Sequence, residues 1–146
     1  MRENNTQAWL CILNEENFEI VGRKRIYGIP KNARALVHFT KFKEGDVLVF
    51  YIISPRKQIK GIAKVLSPVF EDDKKAPWKD RLYPYRVRIS EVHEIAIRER
   101  DFEGKISALR KRIPMGTSIM PLGENDLKII QTLAQTTSSG PGNGLY

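Results

Sequence analysis

Residues 47–53, Val-Leu-Val-Phe-Tyr-Ile-Ile, are seven consecutive apolar residues rich in β-branched and aromatic side chains, and they constrain this chain more than any other feature. A half-buried strand alternates apolar and polar residues, and an amphipathic helix repeats every three to four. An uninterrupted run does neither, so both of its faces must be covered. That predicts a strand in the middle of a sheet. The run is also far short of the roughly 20 residues that a membrane-spanning helix needs. Glu44, Gly45 and Asp46 in front of it read as a turn. Residues 54–58 behind it lead to 59–66, whose alternation suits an antiparallel partner. Gly61 marks a bulge or a close backbone approach there.

Around that strand the pattern is mixed. Residues 8–13 read as a short buried strand in which Trp9 is core rather than ligand contact. Asn14 then reads as the N-cap of a helix with Glu15 and Glu16 in its first turn. Phe18, Val21 and Ile26 face inward, and Gly28-Ile29-Pro30 ends the helix, because proline lacks an amide hydrogen. Residues 32–42 suit a short helix or a strand, with Phe39 and Phe42 as core. Residues 67–80 read as loop, 85–97 as one long strand bent near Ser90-Glu91, and 101–112 as a short helix. A better helix covers 123–134, with Leu127, Ile130 and Leu133 at helical spacing. Residues 1–7 form an arm, 8–134 a single domain, and 135–146, which carry no charged side chain, a flexible tail. The expected class is α+β: about five strands in a small curled sheet or barrel, with short flanking helices.

The charge is unevenly placed. Of 25 Lys and Arg in 146 residues, eleven fall in residues 20–70 against only Glu44 and Asp46, giving 11 − 2 = +9. The whole chain is +8, so the remainder is near neutral. The same stretch carries Tyr27, Phe39, Phe42, Phe50, Tyr51 and Phe70. One sign of charge interleaved with aromatics suits a polyanion, whose phosphates supply charge and whose bases stack. A solvated basic face on an ordinary domain is the plainer alternative.

Catalytic and metal chemistry find little support. Two histidines and one cysteine give no metal-ligand spacing, and no phosphate-binding glycine loop occurs. Cys11 lies within an apolar strand, where it reads as a small buried hydrophobe. His93 alternates with apolar residues and reads as structural or exposed. Glu71-Asp72-Asp73, followed by Lys74 and Lys75, reads as a solvated turn rather than a magnesium site. No cofactor and no metal are expected, and the lone cysteine and the polar start of the chain suit a cytoplasmic setting.

Several segments, taken in order, carry a resemblance. They are Trp9 to Leu13, then Tyr27-Gly28-Ile29-Pro30, then Gly45-Asp46 before Val47 to Tyr51. Gly61-Ile62-Ala63-Lys64-Val65 follows, and last comes Pro77-Trp78 through Tyr83-Pro84-Tyr85-Arg86-Val87. Together they resemble the EVE domain family, a PUA-like group related to the YTH readers of methylated adenine, over residues 8–133. The resemblance implies a PUA-like fold of five to six strands. It also implies a non-enzymatic role, recognition of modified bases in nucleic acid, more often in DNA than in RNA; the short apolar run already argues against a membrane partner.

Reading a base in a duplex requires extruding it, at a few kcal/mol. Aromatic walls return roughly 1–3 kcal/mol per stack, whereas a buried methyl adds only about 0.8 kcal/mol. Polar groups on the base edge must therefore supply selectivity. By resemblance, Asn14, Asn17 and Asn32 read that edge, and Tyr27, Gly28, Ile29 and Pro30 form one wall. Trp78 forms the opposite wall, Tyr51 and Tyr85 the floor, and Lys31, Arg34 and Lys41 meet backbone phosphates. The sequence departs from the YTH pattern at Pro30, where those readers carry a cage tryptophan. An RNA-binding module using the basic face, and a small hydrolase of modified nucleosides, stand as alternatives.

Overall fold

A computed structural model describes residues 6–31, 33–114 and 116–138. In chain order the elements are β1 (Ala8–Ile12), α1 (Glu15–Lys24), β2 (Ile26–Ile29), α2 (Leu36–Phe39), β3 (Val47–Ile52) and β4 (Gln58–Lys64). There follow β5 (Phe70–Glu71), β6 (Tyr85–Arg88), β7 (His93–Arg98), α3 (Glu99–Phe102), a 3₁₀ turn (Ser107–Leu109), β8 (Ile119–Leu122) and α4 (Glu124–Ser138). The described strands make two sheets, one ordered β7-β4-β3-β1-β8 and the other β2-β6-β5. An isolated Val65–Ile89 bridge links the two. The class is α+β as expected, but the strands curl into two sheets and do not close a barrel.

β3 is the middle strand, parallel to β1 on one side and antiparallel to β4 on the other. Its position explains its composition. Leu48, Phe50 and Ile52 enter a core shared with Trp9, Phe18 and Tyr27, while Val49 and Tyr51 enter a second core with Leu10, Ile59 and Ile130. Asp46 ties the strand's start down. Fully buried, it accepts hydrogen bonds from Trp9 Nε1 at 3.0 Å, Gln7 N at 3.0 Å and Lys43 N at 3.2 Å. Gly45 makes the turn before it with φ 93°, a conformation glycine adopts freely.

Several boundaries differ from those expected. The first helix stops at Lys24 because Arg25 takes a left-handed conformation (φ 57°) and donates its N–H to Val21 O. Residues 26–29, expected as its last turn and stop, are instead a strand paired with β6. The ambiguous 32–42 segment holds a single helical turn, α2. The long strand at 85–97 is two strands in different sheets. They part where Ser90 leaves the ladder and its Oγ accepts from Lys64 N at 2.9 Å. The helix expected at 101–112 is only α3 and a 3₁₀ turn, interrupted at Gly104 (φ 76°). β8 was not foreseen, since Pro121 obscures it; an edge strand tolerates that proline. α4 continues four residues past its expected end, into the expected tail.

Candidate functional site

Where β1 ends and α1 begins, the chain leaves a cavity of about 650 Å³ between the two sheets. That volume is ordinary for a small-molecule site. Its walls come from the end of β1 and the Asn14 turn, α1, β2 with the segment after it, the 78–83 loop, and residues 116 and 118. α1 begins there because the Asn14 side chain accepts from Asn17 N at 2.7 Å, closing the helix's first turn.

The polar geometry centres on three residues. Asn17, only 9% exposed, donates from Nδ2 to Tyr83 Oη at 3.1 Å and to Asp80 Oδ2 at 3.3 Å. Tyr83 donates its hydroxyl to the same Asp80 oxygen at 2.7 Å. Partial burial works against the Asp80 carboxylate. Hydrogen bonds from Tyr83, Asn17 and the backbone amides of Asp80 and Arg81 outweigh it and hold the pKa below the ordinary 3.8. Burial, and then the hydrogen bond to Asp80, push Tyr83 up to about 12.

β2 contributes backbone groups. It is the edge of its sheet, and Ile89 N donates to Arg25 O at 3.0 Å, which fixes the phase of the β2–β6 ladder. Tyr27 and Ile29 then bond to Val87 and Tyr85, so the N–H and C=O of Gly28 fall on the open edge. Gly28 also permits close packing. A Cβ there would lie 3.0 Å from Trp78 Cη2, 3.1 Å from Tyr83 Cβ and 3.2 Å from Tyr85 O.

Nine residues expected at the site line this cavity: Asn14, Asn17, Tyr27, Gly28, Ile29, Pro30, Lys31, Arg34 and Trp78. Their roles are not all as expected. Trp78, expected as the opposite wall, is 3% exposed, with the Tyr83 ring at 4.9 Å and the Arg86 guanidinium at 5.0 Å. The Tyr27 ring belongs to the core, packed on Phe39, Phe42 and Phe50. Tyr51 is not a floor residue. It sits on the opposite face of β3 and packs edge-on against Phe102 at 6.0 Å. Tyr85 lies outside the lining, because Tyr83, two residues before β6 begins, supplies the ring on this side. Lys41, exposed after α2, does not line the cavity either. Asn32 lies outside the described residues.

Asp80, Arg81, Tyr83 and Ser118 line the cavity without having been singled out in the sequence. The first three fall within the Pro77-to-Val87 segment that carries the resemblance, whereas the only sequence signal of Ser118 is that it precedes a strand. Within the acidic run 71–73, Asp72 meets the buried Arg86 at 3.1 Å, while Glu71 and Asp73 stay exposed. Arg86 also donates to the carbonyls of Tyr83 and Lys74, which fastens the loop that carries Trp78 and Asp80.

Charge separates this cavity from a second of about 550 Å³ beside α1 and β4. The first holds Lys31, Arg34 and Arg81 against Asp80 alone. In the second, Arg23, Arg25 and Lys60 face Glu15, Glu19, Glu91 and Glu94, and Lys60 pairs with Glu15 at 3.9 Å. Part of the +9 stretch is thus offset by acids from elsewhere in the chain. Cys11 is buried, which pushes its thiol up to about 12. Among the described residues no cluster of metal-ligating side chains occurs, and no helix is long and apolar enough to cross a membrane.

The EVE domain family model matches residues 7–133. A UPF0310 protein of Pyrococcus horikoshii is 32% identical over 145 residues, covering 86% of this chain and 97% of that protein. The Pho92 YTH domain, solved in complex with m6A, has a TM-score of 0.72 at 16% identity, covering 95% of this chain and 89% of that one. Human THYN1, solved with 5-methylcytosine-containing DNA, has a TM-score of 0.64 at 13% identity, covering 89% and 98%. At these identities the two structures share the fold, a PUA-like one.

Proposed function

The chain belongs to the EVE domain family, and from that premise we propose that it is a nucleic-acid-binding module that holds a flipped, modified base in the cavity between the two sheets. The observation that carries this reading is a single cavity that combines base-edge readers with a cationic rim. Asn17 and the Gly28 backbone offer hydrogen bonds at its wall, Tyr83 supplies a ring backed by the buried Trp78, and Lys31, Arg34 and Arg81 stand where phosphates would pass. Two proteins of the same fold were solved with methylated ligands, one of them in DNA, and a third was solved with RNA, which supports a modified base as the ligand and makes both polymers part of the test. The titratable groups at the wall are committed to one another. Asp80 is held ionised and Tyr83 neutral, which leaves neither poised near neutrality as an acid or base and supports binding rather than chemistry.

The test is an oligonucleotide panel with 5-methylcytosine, N6-methyladenine or no modification, in DNA and in RNA, titrated by fluorescence anisotropy at two salt concentrations. We expect several-fold tighter binding to at least one modified strand than to its unmodified counterpart, weakening as salt rises. Equal affinity for modified and unmodified strands would instead identify a binder that uses only its basic surface.

A further inference from the structure

We infer that Asp80 is a positioning residue that decides which kind of base edge the cavity accepts, by holding the Asn17 amide in one orientation. The inference rests on the base-binding role proposed above. A carboxylate only accepts hydrogen bonds, so the end of Asn17 that meets Asp80 Oδ2 at 3.3 Å is its NH₂ group. The Tyr83 hydroxyl has one hydrogen. At 2.7 Å it gives that hydrogen to the same oxygen, and it therefore accepts from Asn17 Nδ2 at 3.1 Å. Both contacts turn the same end of Asn17 toward the 80–83 loop.

What remains is Asn17 Oδ1. Among the described residues no donor reaches it, although Asn17 is 9% exposed and lines the cavity together with Asp80 and Tyr83. An acceptor held at the cavity wall with its amide end already committed is matched by a guest N–H and by no guest acceptor. A base with an exocyclic amino group, of the cytosine or adenine class, supplies that N–H. The matching keto base would set oxygen against oxygen. The hydrogen bonds that keep Asp80 ionised keep it an acceptor, which preserves the lock. With Asp80→Asn, residue 80 could offer an NH₂ of its own and Asn17 would be free to turn over.

The experiment compares bases that differ only in amino against oxo, each placed opposite an abasic site so that extrusion costs are equal. The probes are 5-methylcytosine against thymine and adenine against hypoxanthine. The wild type should favour the amino-bearing member of at least one pair by about tenfold. Asp80→Asn should bring that ratio to within about threefold, and Tyr83→Phe should fall between the two. Melting temperatures close to wild type establish that both variants are folded. If the wild type discriminates and Asp80→Asn keeps the ratio while weakening all probes alike, Asp80 merely supports the loop and the inference is overturned. A wild type that selects modified bases yet ignores the amino-to-oxo change, or prefers the keto member, overturns it while leaving base binding intact. A wild type whose binding never depends on the base removes both.

Discussion

Alternation along β1 and β3 divides their side chains between two cores of different character. One face gathers Trp9, Phe18, Tyr27, Phe39, Phe50 and Trp78 between the two sheets. The other gathers Leu10, Val49, Ile59, Ile97, Leu122 and Ile130 beneath α4. The aromatic face carries polar atoms that need partners: the Trp9 indole on Asp46, the Tyr27 hydroxyl beside Cys11, and the Arg86 guanidinium over Trp78. The indole, hydroxyl and guanidinium groups of that face demand hydrogen-bond partners. A cavity with hydrogen-bonding walls forms at the margin of such a core. The aliphatic face packs without that demand and serves to hold the sheet together. Binding and stability should therefore separate between the two faces.

The largest effect belongs to the aliphatic face. Ile130 is fully buried there, and Ile130→Ala should cost about 2–5 kcal/mol in urea unfolding. Affinity at the cavity, measured well below the melting temperature, should stay at the wild-type value. Gly28→Ala tests the other face and should act differently. The added methyl meets Trp78, Tyr83 and the Tyr85 carbonyl at 3.0–3.2 Å, and the backbone carbonyl cannot turn aside. Overpacking of this kind costs about 1–3 kcal/mol, and here it also displaces the Trp78 wall. We expect a smaller loss of stability than in Ile130→Ala but a clear loss of affinity. Should Ile130→Ala weaken binding as much as Gly28→Ala does, the two faces are coupled and the division fails.

How far this was legible in the sequence follows from where the deciding contacts lie. The central strand and the Asn14 cap are local patterns, and both were readable. Tyr51 was not. In an uninterrupted apolar run no polar residue marks which face each side chain takes, so its assignment to the cavity floor had no phase to rest on. The burial of Trp78 is not legible from its neighbours in a charged, proline-containing loop. The groups that bury it, Gly28 and Arg86, are distant or belong to another strand. The Asn17–Asp80 contact joins residues 63 positions apart, and no local spacing announces it. The motifs carried by resemblance did better, because each bundles such long-range contacts into a short string. Tyr27-Gly28-Ile29-Pro30 marks the cavity edge without revealing that the Tyr27 ring is core.

The smallest effect concerns charge, and it sharpens the contrast between the cavity that opens from the aromatic face and the one beside α1. A basic side chain that meets a phosphate releases a counterion, steepening the fall of log K with log salt by roughly 0.9 per contact on duplex DNA. Lys31 and Arg34 line the first cavity, so Lys31→Gln with Arg34→Gln should flatten the slope by about 1.8 and weaken all sequences alike. Lys60 supplies the same charge to the second cavity. There it pairs with Glu15 at 3.9 Å, and Glu19, Glu91 and Glu94 repel an approaching phosphate. Lys60→Gln should leave the slope unchanged. Both variants remove charge from the same basic stretch, so a diffuse field acting on the polymer at a distance would respond in proportion to the charge removed. A slope that moves only with residues 31 and 34 requires phosphates to pass at the mouth of the first cavity. A slope that moves equally per charge in all three positions would dissolve the distinction between the two.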